Sequence, residues 1–118
     1  MNQVINIKNL SELIDQYDLF IIDQWGVLHD GQIGYHYAID CIKNLSRLQK
    51  TLIIISNSSK RKHTTINRLP ELGFDQDSFA EVLTSGEIIW QNLYSKSNVF
   101  FKKLGKRCFF LADKTKED

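Results

Sequence analysis

The sequence predicts an α/β protein with a doubly wound parallel sheet and helices on both faces. Two short apolar runs, Leu19–Ile22 and Thr51–Ile55, are typical of buried strands. Between them, Tyr35–Lys50 carries apolar residues at helical spacing and opposes them with a charged face. A strand, a helix and a second fully apolar strand favour a parallel βαβ unit. The sheet is therefore expected to lie between layers of helices.

Length and composition predict a single domain spanning residues 1–118. Of the 118 residues, 42% are hydrophobic and 25% are charged, as in an ordinary globular domain. The net charge of +1 provides no basic surface for nucleic acid or an anionic membrane, so neither is an expected partner. The chain has no apolar run of membrane-spanning length and no signal-peptide pattern. These properties predict a cytoplasmic protein, with Cys41 and Cys108 as buried free thiols.

Two motifs flank the first predicted strand. Asn9 followed by Glu12 resembles a capping box, which predicts a short helix ending near Asp18. After the strand, Asp30-Gly31 is a strong turn signal. We therefore expect a small flap, residues 27–34, over the C-terminal end of that strand.

The C-terminal half of the chain is expected to add further helices and strands. Residues 61–69 predict a helix, which Pro70 and Gly73 terminate. Residues 82–86 predict a third strand, with Ser85 as the N-cap of the helix that follows. The residues of that helix expected to face the core are Ile88, Ile89, Trp90 and Leu93. The apolar run 108–112 is expected to form a last strand, which stops at Asp113.

Polar side chains follow three of the predicted strands. Asp23 follows the first, Ser56-Asn57-Ser58-Ser59 the second, and Thr84-Ser85 ends the third. At the carboxyl ends of parallel strands, a carboxylate can attack phosphorus while hydroxyl and N–H groups bind the phosphate oxygens. Two plainer interpretations stay open at this point. Asp23 could cap a turn, and a helix cap accounts for one of the four small polar residues after the second strand.

Two of these segments resemble the motifs of a known family. The run Ile22–Gly31 resembles the first motif of the haloacid dehalogenase (HAD) superfamily of phosphohydrolases, and Ile53–Ser58 resembles the second. Leu72–Phe74 and Thr84–Glu87 are similar to segments of the class IIA branch, in which a large cap is inserted after this region. The resemblance covers about residues 19–112. It implies a Rossmann-like core and hydrolysis of a small phosphorylated metabolite through a phosphoaspartyl intermediate.

Carried over by position, the resemblance implies roles for four residues. Asp23 would be the nucleophile and a ligand of Mg²⁺, the implied cofactor. The backbone carbonyl of Trp25 would be a second ligand of the metal. Ser56 would bind phosphate through its hydroxyl group, and Asn57 through its backbone N–H.

The sequence departs from the family pattern at position 25. Most of these phosphatases have a second Asp there, which protonates the leaving group, whereas Trp25 cannot transfer a proton at neutral pH. General acid–base help is typically worth ~10²–10⁴-fold in rate. We therefore expect slow turnover or an acid recruited from the flap, for which Asp30 and His29 are candidates. Both also fit an ordinary role as turn residues.

The third and fourth motifs of the family, a phosphate-binding Lys and an acidic metal-binding pair, are not found after Ser85. The chain is therefore expected to be the N-terminal half of a longer enzyme, as a fragment, a truncated reading frame or one piece of a split protein. An incomplete sheet leaves an unpaired edge, which would recruit a complementary C-terminal half or a second copy of the chain. The resemblance implies that the cap determines substrate choice, and this sequence does not include a cap.

Two other functions stay open on the sequence alone. The first is a non-catalytic phosphate-binding or interaction module, which Trp25 favours. The second is a receiver domain of a phosphorelay, which is also a doubly wound sheet with a phospho-accepting Asp. A receiver needs an acidic pair after the first strand and its Asp after the third, whereas this chain has Thr84-Ser85 at the third.

Overall fold

The structure is a computed structural model in which residues 4–111 are described. It contains one sheet of three strands, β1 (Leu19–Asp23), β2 (Thr51–Ser56) and β3 (Glu81–Thr84). They pair in the order β1-β2-β3, and both pairings are parallel. The predicted α/β class with a Rossmann-like parallel sheet is confirmed.

Helices connect and follow the strands. The described residues include four α-helices: α1 (His36–Arg47), α2 (Lys62–Arg68), α3 (Ser85–Ser95) and α4 (Val99–Lys102). Short 3-10 turns occupy Leu10–Glu12, Ile14–Gln16, Pro70–Leu72 and Gln76–Ser78. From β1 to β2 and from β2 to β3 the chain moves in the same direction across the sheet. Because parallel crossovers are right-handed, α1 and α2 are expected on the same face of the sheet.

The hydrophobic core lies on this covered face. Leu52 and Ile54 of β2 are completely buried, as is Leu69 after α2. The buried side chains of α1 that pack against them are Ala38, Ile42 and Leu45. Alternation along β2 therefore sends every second residue into the core.

The opposite face of the sheet is only partly covered by the described residues. Towards β3, Ile53 and Leu83 are half-buried. Towards β1 the face is open, with Ile21 62% exposed and Ile55 43% exposed. Apolar side chains on an uncovered sheet face mark a surface that another element or chain could bury.

The N-terminal helix is shorter and tighter than predicted. Asn9 does act as a cap, since its Oδ1 accepts a hydrogen bond from the Ser11 backbone N–H at 3.0 Å. Glu12 accepts from the Lys8 N–H at 2.9 Å rather than from Asn9, so the reciprocal half of the capping box is not formed. The segment consequently forms two 3-10 turns instead of an α-helix.

The start of α3 differs from the prediction by one residue. Thr84, not Ser85, is the N-cap, and its hydroxyl oxygen accepts from the Glu87 N–H at 3.0 Å. In the helix that starts after Thr84, the buried residue is Glu87. The prediction that its apolar residues face the core was wrong, because 43–49% of each remains exposed: Ile88, Ile89, Trp90 and Leu93.

The predicted last strand is absent from the described residues. Residues 108–111 have no strand assignment, and the apolar side chains among them are 79–90% exposed: Phe109, Phe110 and Leu111. An apolar run forms a strand only where a neighbouring strand supplies hydrogen bonds, and this run has no such neighbour here. Ala112 and Asp113, the predicted end of the strand, lie outside the described residues.

The two cysteines differ in burial. Cys41 in α1 is half-buried, and burial raises the pKa of its thiol. Cys108 is exposed, so its predicted burial was wrong. Within residues 4–111 no helix combines the length and apolar character needed to cross a membrane.

Candidate functional site

The sheet brings Asp23 and the Ser56 segment to the same edge. Asp23 is the last residue of β1 and lies opposite Ile55 of the neighbouring strand. Ser56 comes next and is the last residue of β2. Parallel strands end at a common edge, so both polar residues occupy the position where α/β sheets carry their ligands.

Asp23 and Asn57 lie in one depression at this edge. Its volume is about 590 Å³, and it is lined by Ile21, Asp23, Ile55 and Asn57. The carboxylate of Asp23 is exposed and accepts one hydrogen bond, from the Gln24 N–H at 2.7 Å. A solvent-accessible carboxylate therefore lies next to the loop that follows β2.

Ser56 belongs to the other side of the sheet. It is 5% exposed, and its Oγ accepts a hydrogen bond from the Ser58 N–H at 3.2 Å. Because successive side chains of a strand alternate between faces, Ser56 follows Ile54 towards the covered face, whereas Asp23 follows Ile21 towards the open one. The structure thus brings Asp23 together with Asn57, and places Ser56 at the same edge with its hydroxyl tied to the loop.

Trp25 lies two residues before the flap predicted at residues 27–34 and contacts it. Its indole is 58% exposed and meets the His29 ring edge-on, with ring centroids 5.4 Å apart. The Gly26 N–H donates to the His29 carbonyl at 2.8 Å, and a backbone bridge joins His29 to Gly34. Gly26 has φ +76, a left-handed conformation that favours glycine. The chain after Asp23 therefore folds back on itself as a compact flap.

The turn at the tip of the flap is organised by Asp30. Its Oδ1 accepts from the backbone N–H groups of Gln32 at 2.8 Å and Ile33 at 2.9 Å. These two hydrogen bonds, the Ile33 one first, hold the pKa of the Asp30 carboxyl below its usual value. Asp30 is therefore a carboxylate at neutral pH, engaged in shaping the turn.

His29 is fully buried behind Trp25. Its Nδ1 accepts from the Gly31 N–H at 2.9 Å, so a neutral ring carries its proton on Nε2. Burial, and secondarily the nearby Arg68 guanidinium, lower the pKa of His29. Among the described residues Nε2 has no hydrogen-bond partner. His29 is accordingly a neutral, enclosed imidazole in this structure.

A second, mostly apolar groove of about 360 Å³ runs along the free edge of β1. It lies between β1 and α1, and Asp23 contributes one of its few polar groups. Phe20 and Ile22 line its strand side, and Cys41 lines its helix side. Asp23 thus lies between the depression that it shares with Asn57 and a mostly apolar groove.

The two residues that the resemblance implies as metal ligands, Asp23 and Trp25, carry oxygen donors. Mg²⁺ prefers oxygen ligands and is commonly held by one or two carboxylates together with waters and substrate phosphate. The Asp23 carboxylate and the Trp25 carbonyl supply oxygen donors of this kind. In the described part of the chain no group of three or more His, Cys, Asp or Glu side chains is placed to hold a metal. The donor set fits magnesium chemistry but does not make a complete site.

Sequence reasoning missed the ion pair behind the loop after β2. Arg61 Nε lies 2.7 Å from the Glu87 carboxylate, which is 5% exposed. Thr84-x-x-Glu87 is a capping-box pattern, so the sequence did carry a signal for Thr84 as the N-cap. It carried no local signal that pairs Glu87 with Arg61, which lies 26 residues away.

Comparison with known proteins identifies the family. The family profile described as haloacid dehalogenase-like hydrolase matches residues 20–118. A curated relative, the 4-nitrophenylphosphatase of Schizosaccharomyces pombe, is 31% identical over 116 residues, which cover 94% of this chain. A crystal structure of a haloacid dehalogenase-like hydrolase from Brucella suis 1330 matches with a TM-score of 0.66 and 28% identity over 75% of this chain. The fold is a parallel α/β core in which Asp23 is the last residue of the first strand. The chain belongs to the haloacid dehalogenase-like hydrolase family, which confirms the resemblance found in the sequence.

The chain spans about a third of each of these relatives. It covers 36% of the length of the Schizosaccharomyces pombe protein and 34% of the Brucella suis chain. Family membership also removes the support for a phosphorelay receiver.

Proposed function

We propose that this chain supplies the nucleophile and part of the phosphate-binding site of a phosphatase that acts on a small phosphorylated metabolite. The observation that carries the proposal is Asp23, an exposed carboxylate that ends β1 in the same depression as Asn57. Family membership supports hydrolysis as the reaction. The name of the Schizosaccharomyces pombe relative supports a phosphate ester as the substrate.

The proposed reaction has two steps. A carboxylate oxygen of Asp23 attacks the phosphorus, forming an acyl phosphate while the bond to the leaving oxygen breaks, and the leaving group takes up one proton. A water molecule then attacks the acyl phosphate, which releases inorganic phosphate and regenerates the carboxylate. During both steps the equatorial oxygens carry negative charge that hydrogen-bond donors must stabilise.

Ser56 and Asn57 are the proposed donors to those oxygens. Asn57 already lines the depression with Asp23. The hydroxyl of Ser56 accepts from the Ser58 N–H, which leaves its own O–H proton available for donation. In this proposal a small rotation of the Ser56 side chain at the strand end directs that proton towards the phosphate.

Magnesium is the proposed cofactor. When bound, it would offset the repulsion between the Asp23 carboxylate and the anionic substrate. The Asp23 carboxylate and the Trp25 carbonyl would hold it on this chain.

The leaving-group proton has two candidate donors in the flap, Asp30 and His29. Asp30 is ionised and occupied by two backbone N–H groups, and His29 is neutral and enclosed. Either could act as the acid only after the flap opens. We therefore propose slow turnover as the consequence of Trp25 at position 25.

Phosphate binding and hydrolysis together test the proposal. The chain is titrated with inorganic phosphate in the presence of Mg²⁺ while its amide resonances are followed, and release of 4-nitrophenolate from 4-nitrophenyl phosphate is assayed alongside. We expect shifts at Asn57 and Ser58 in the wild-type chain and in the flap variant Asp30→Asn, and we expect Asp23→Asn to release no 4-nitrophenolate. The Schizosaccharomyces pombe enzyme serves as the positive control for hydrolysis. Release of 4-nitrophenolate that is unaffected by Asp23→Asn would refute the assignment of the nucleophile.

A phosphate-binding module without turnover is the second candidate. Trp25 favours it, because the position that usually supplies the general acid holds an indole. Phosphate-dependent shifts without detectable 4-nitrophenolate, in an assay where the positive control is active, would select this module over the phosphatase.

A further inference from the structure

The start of α3 contacts the β2–α2 loop, residues 57–61, through the backbone. The Gly86 N–H donates to the Ser58 carbonyl at 3.0 Å. The Thr84 hydroxyl donates to the Lys60 carbonyl at 2.6 Å, and Thr84 is completely buried. A Cβ at position 86 would overlap the Ser59 carbonyl oxygen, so the loop packs directly on this glycine. Three consecutive loop residues are thus held by two residues of the Thr84–Glu87 segment.

Glu87 holds the C-terminal end of the same loop. Its Oε2 accepts from Arg61 Nε at 2.7 Å, and its Oε1 accepts from Arg61 Nη2 at 3.3 Å. The same carboxylate accepts from the Lys62 backbone N–H at 3.2 Å. The Arg61 guanidinium also stacks on the Trp90 ring, 3.6 Å from its centroid. The end of the loop is therefore fixed by charge-assisted hydrogen bonds and by stacking.

The Glu87 carboxylate is chemically suited to hold the end of the loop in one position. A buried carboxylate is tolerated only when hydrogen bonds and an opposite charge satisfy it, and Glu87 has both. The Arg61 hydrogen bonds, with smaller contributions from Lys62 and Gln91, lower the pKa of Glu87 to about 2. The carboxylate is therefore charged throughout the neutral range, and its hold on the loop does not depend on pH there.

We propose that Thr84–Glu87 is a clamp that positions the β2–α2 loop, with Glu87 as its main positioning residue. The clamp contacts residues 58–61 of the loop whose first residue, Asn57, shares the depression with Asp23. The inference rests on the proposed function in one respect, the binding of phosphate by this loop. The geometry of the clamp does not depend on that function, so the two can be tested separately.

Amide hydrogen exchange of the whole chain tests the clamp without any ligand. In Glu87→Gln we expect the amides of Ser58, Lys60 and Lys62 to exchange about tenfold faster, because the Lys62 N–H and the Arg61 side chain lose a charged acceptor that holds the loop. The amide of Ile54 in the sheet is expected to keep its protection. Unchanged loop exchange, or an equal acceleration at Ile54, would overturn the proposal, since the latter reports a general loss of stability.

Glu81→Gln is the matched control for this substitution. Glu81 pairs with the same helix start, through Lys62 Nζ at 3.0 Å, but makes this contact at the surface and not through the loop backbone. We expect loop exchange in Glu81→Gln to equal that of the wild-type chain. An acceleration as large as that of Glu87→Gln would contradict a specific role for Glu87.

A second variant keeps the proposal testable if Glu87→Gln does not fold. Gly86→Ala adds a methyl group against the Ser59 carbonyl and changes neither Arg61 nor Glu87. Its expected effect is the same faster exchange of the Ser58 and Lys60 amides. Wild-type exchange in this variant would show that the loop does not depend on close contact with α3.

Phosphate affinity connects the clamp to the proposed function. With inorganic phosphate and Mg²⁺ as the probe, we expect the dissociation constant of Glu87→Gln to be about tenfold higher than that of the wild-type chain, and that of Glu81→Gln to be unchanged. No phosphate binding by the wild-type chain would refute the proposed function, while the exchange data would still decide on the clamp. Wild-type affinity in Glu87→Gln would refute the positioning role.

Discussion

His29 shows how much one side chain constrains the flap. It is fully buried, accepts the Gly31 N–H through Nδ1 and packs against Trp25. A protonated imidazole would have an N–H on both nitrogens, so the contact with Gly31 would become donor against donor. The neutral form is therefore the one that fits the folded flap.

We expect His29 to make stability fall below neutral pH. Its pKa is lowered in the folded chain, so the unfolded chain binds more protons below the ordinary value of 6.5, and stability decreases as the pH drops through that value. Between pH 7.5 and 5.5 the melting temperature of the wild-type chain should fall more steeply than that of His29→Gln. The expected difference is about 4–8 °C for each kcal/mol by which His29 lowers the free energy of unfolding.

The exposed His63 in α2 provides the matched control for this experiment. His63→Gln should keep the wild-type slope of melting temperature against pH. Parallel slopes for the wild-type chain and His29→Gln would show that His29 does not have this effect.

At the scale of elements, β2 separates two environments one residue apart. Ile54 is completely buried on the face of the sheet that α1 covers, whereas Ile55 is 43% exposed on the open face. The two side chains are chemically identical, so they isolate the contribution of burial.

Substitution of each isoleucine by alanine should give very different losses of stability. Ile54→Ala should lower the free energy of unfolding by about 2–5 kcal/mol, since it removes packed methyl groups and leaves a cavity. Ile55→Ala should cost well under half as much, because its side chain is partly in water already. Urea denaturation followed by circular dichroism measures both values. Equal losses would mean that the open face is covered in solution.

The accuracy of sequence reasoning also varies by element. The strands β1 and β2 and the helix between them were predictable, because apolar periodicity and burial agree there. The position of Asp23 at the end of β1 followed from the same pattern. The start of α3 was not predictable with equal accuracy, since Thr84 and Ser85 are both good N-caps. The buried role of Glu87 depends on Arg61, a partner 26 residues away, which no local pattern reveals.

At the scale of the whole molecule, the described residues leave the outer edge of β1 unpaired and one face of the sheet partly open. No described residues pair with the outer edge of β1, and Ile21 on its open side is 62% exposed. Edges of this kind recruit further strands, and proteins often block them with a charged residue such as lysine. The expected partners, a complementary C-terminal half or a second copy, would both meet the molecule here.

We expect the isolated chain to self-associate through this surface. Sedimentation velocity over a range of concentrations should show species larger than the monomer. Ile21→Lys should shift the distribution towards the monomer, because it places a charge on the edge strand. The matched substitution Ile33→Lys, on the exposed flap, should leave the association unchanged. A wild-type chain that stays monomeric at every concentration would contradict the prediction.

The chain contains two tryptophans, and each lies next to a different part of the site. Trp25 follows the carboxylate of Asp23 by two residues, while Trp90 lies beneath the Arg61 guanidinium. The molecule therefore carries two built-in optical reporters. With Trp90→Phe the remaining fluorescence follows the flap, and with Trp25→Phe it follows the loop behind it. Ligand-induced motions at these two places can thus be timed separately without attaching a dye.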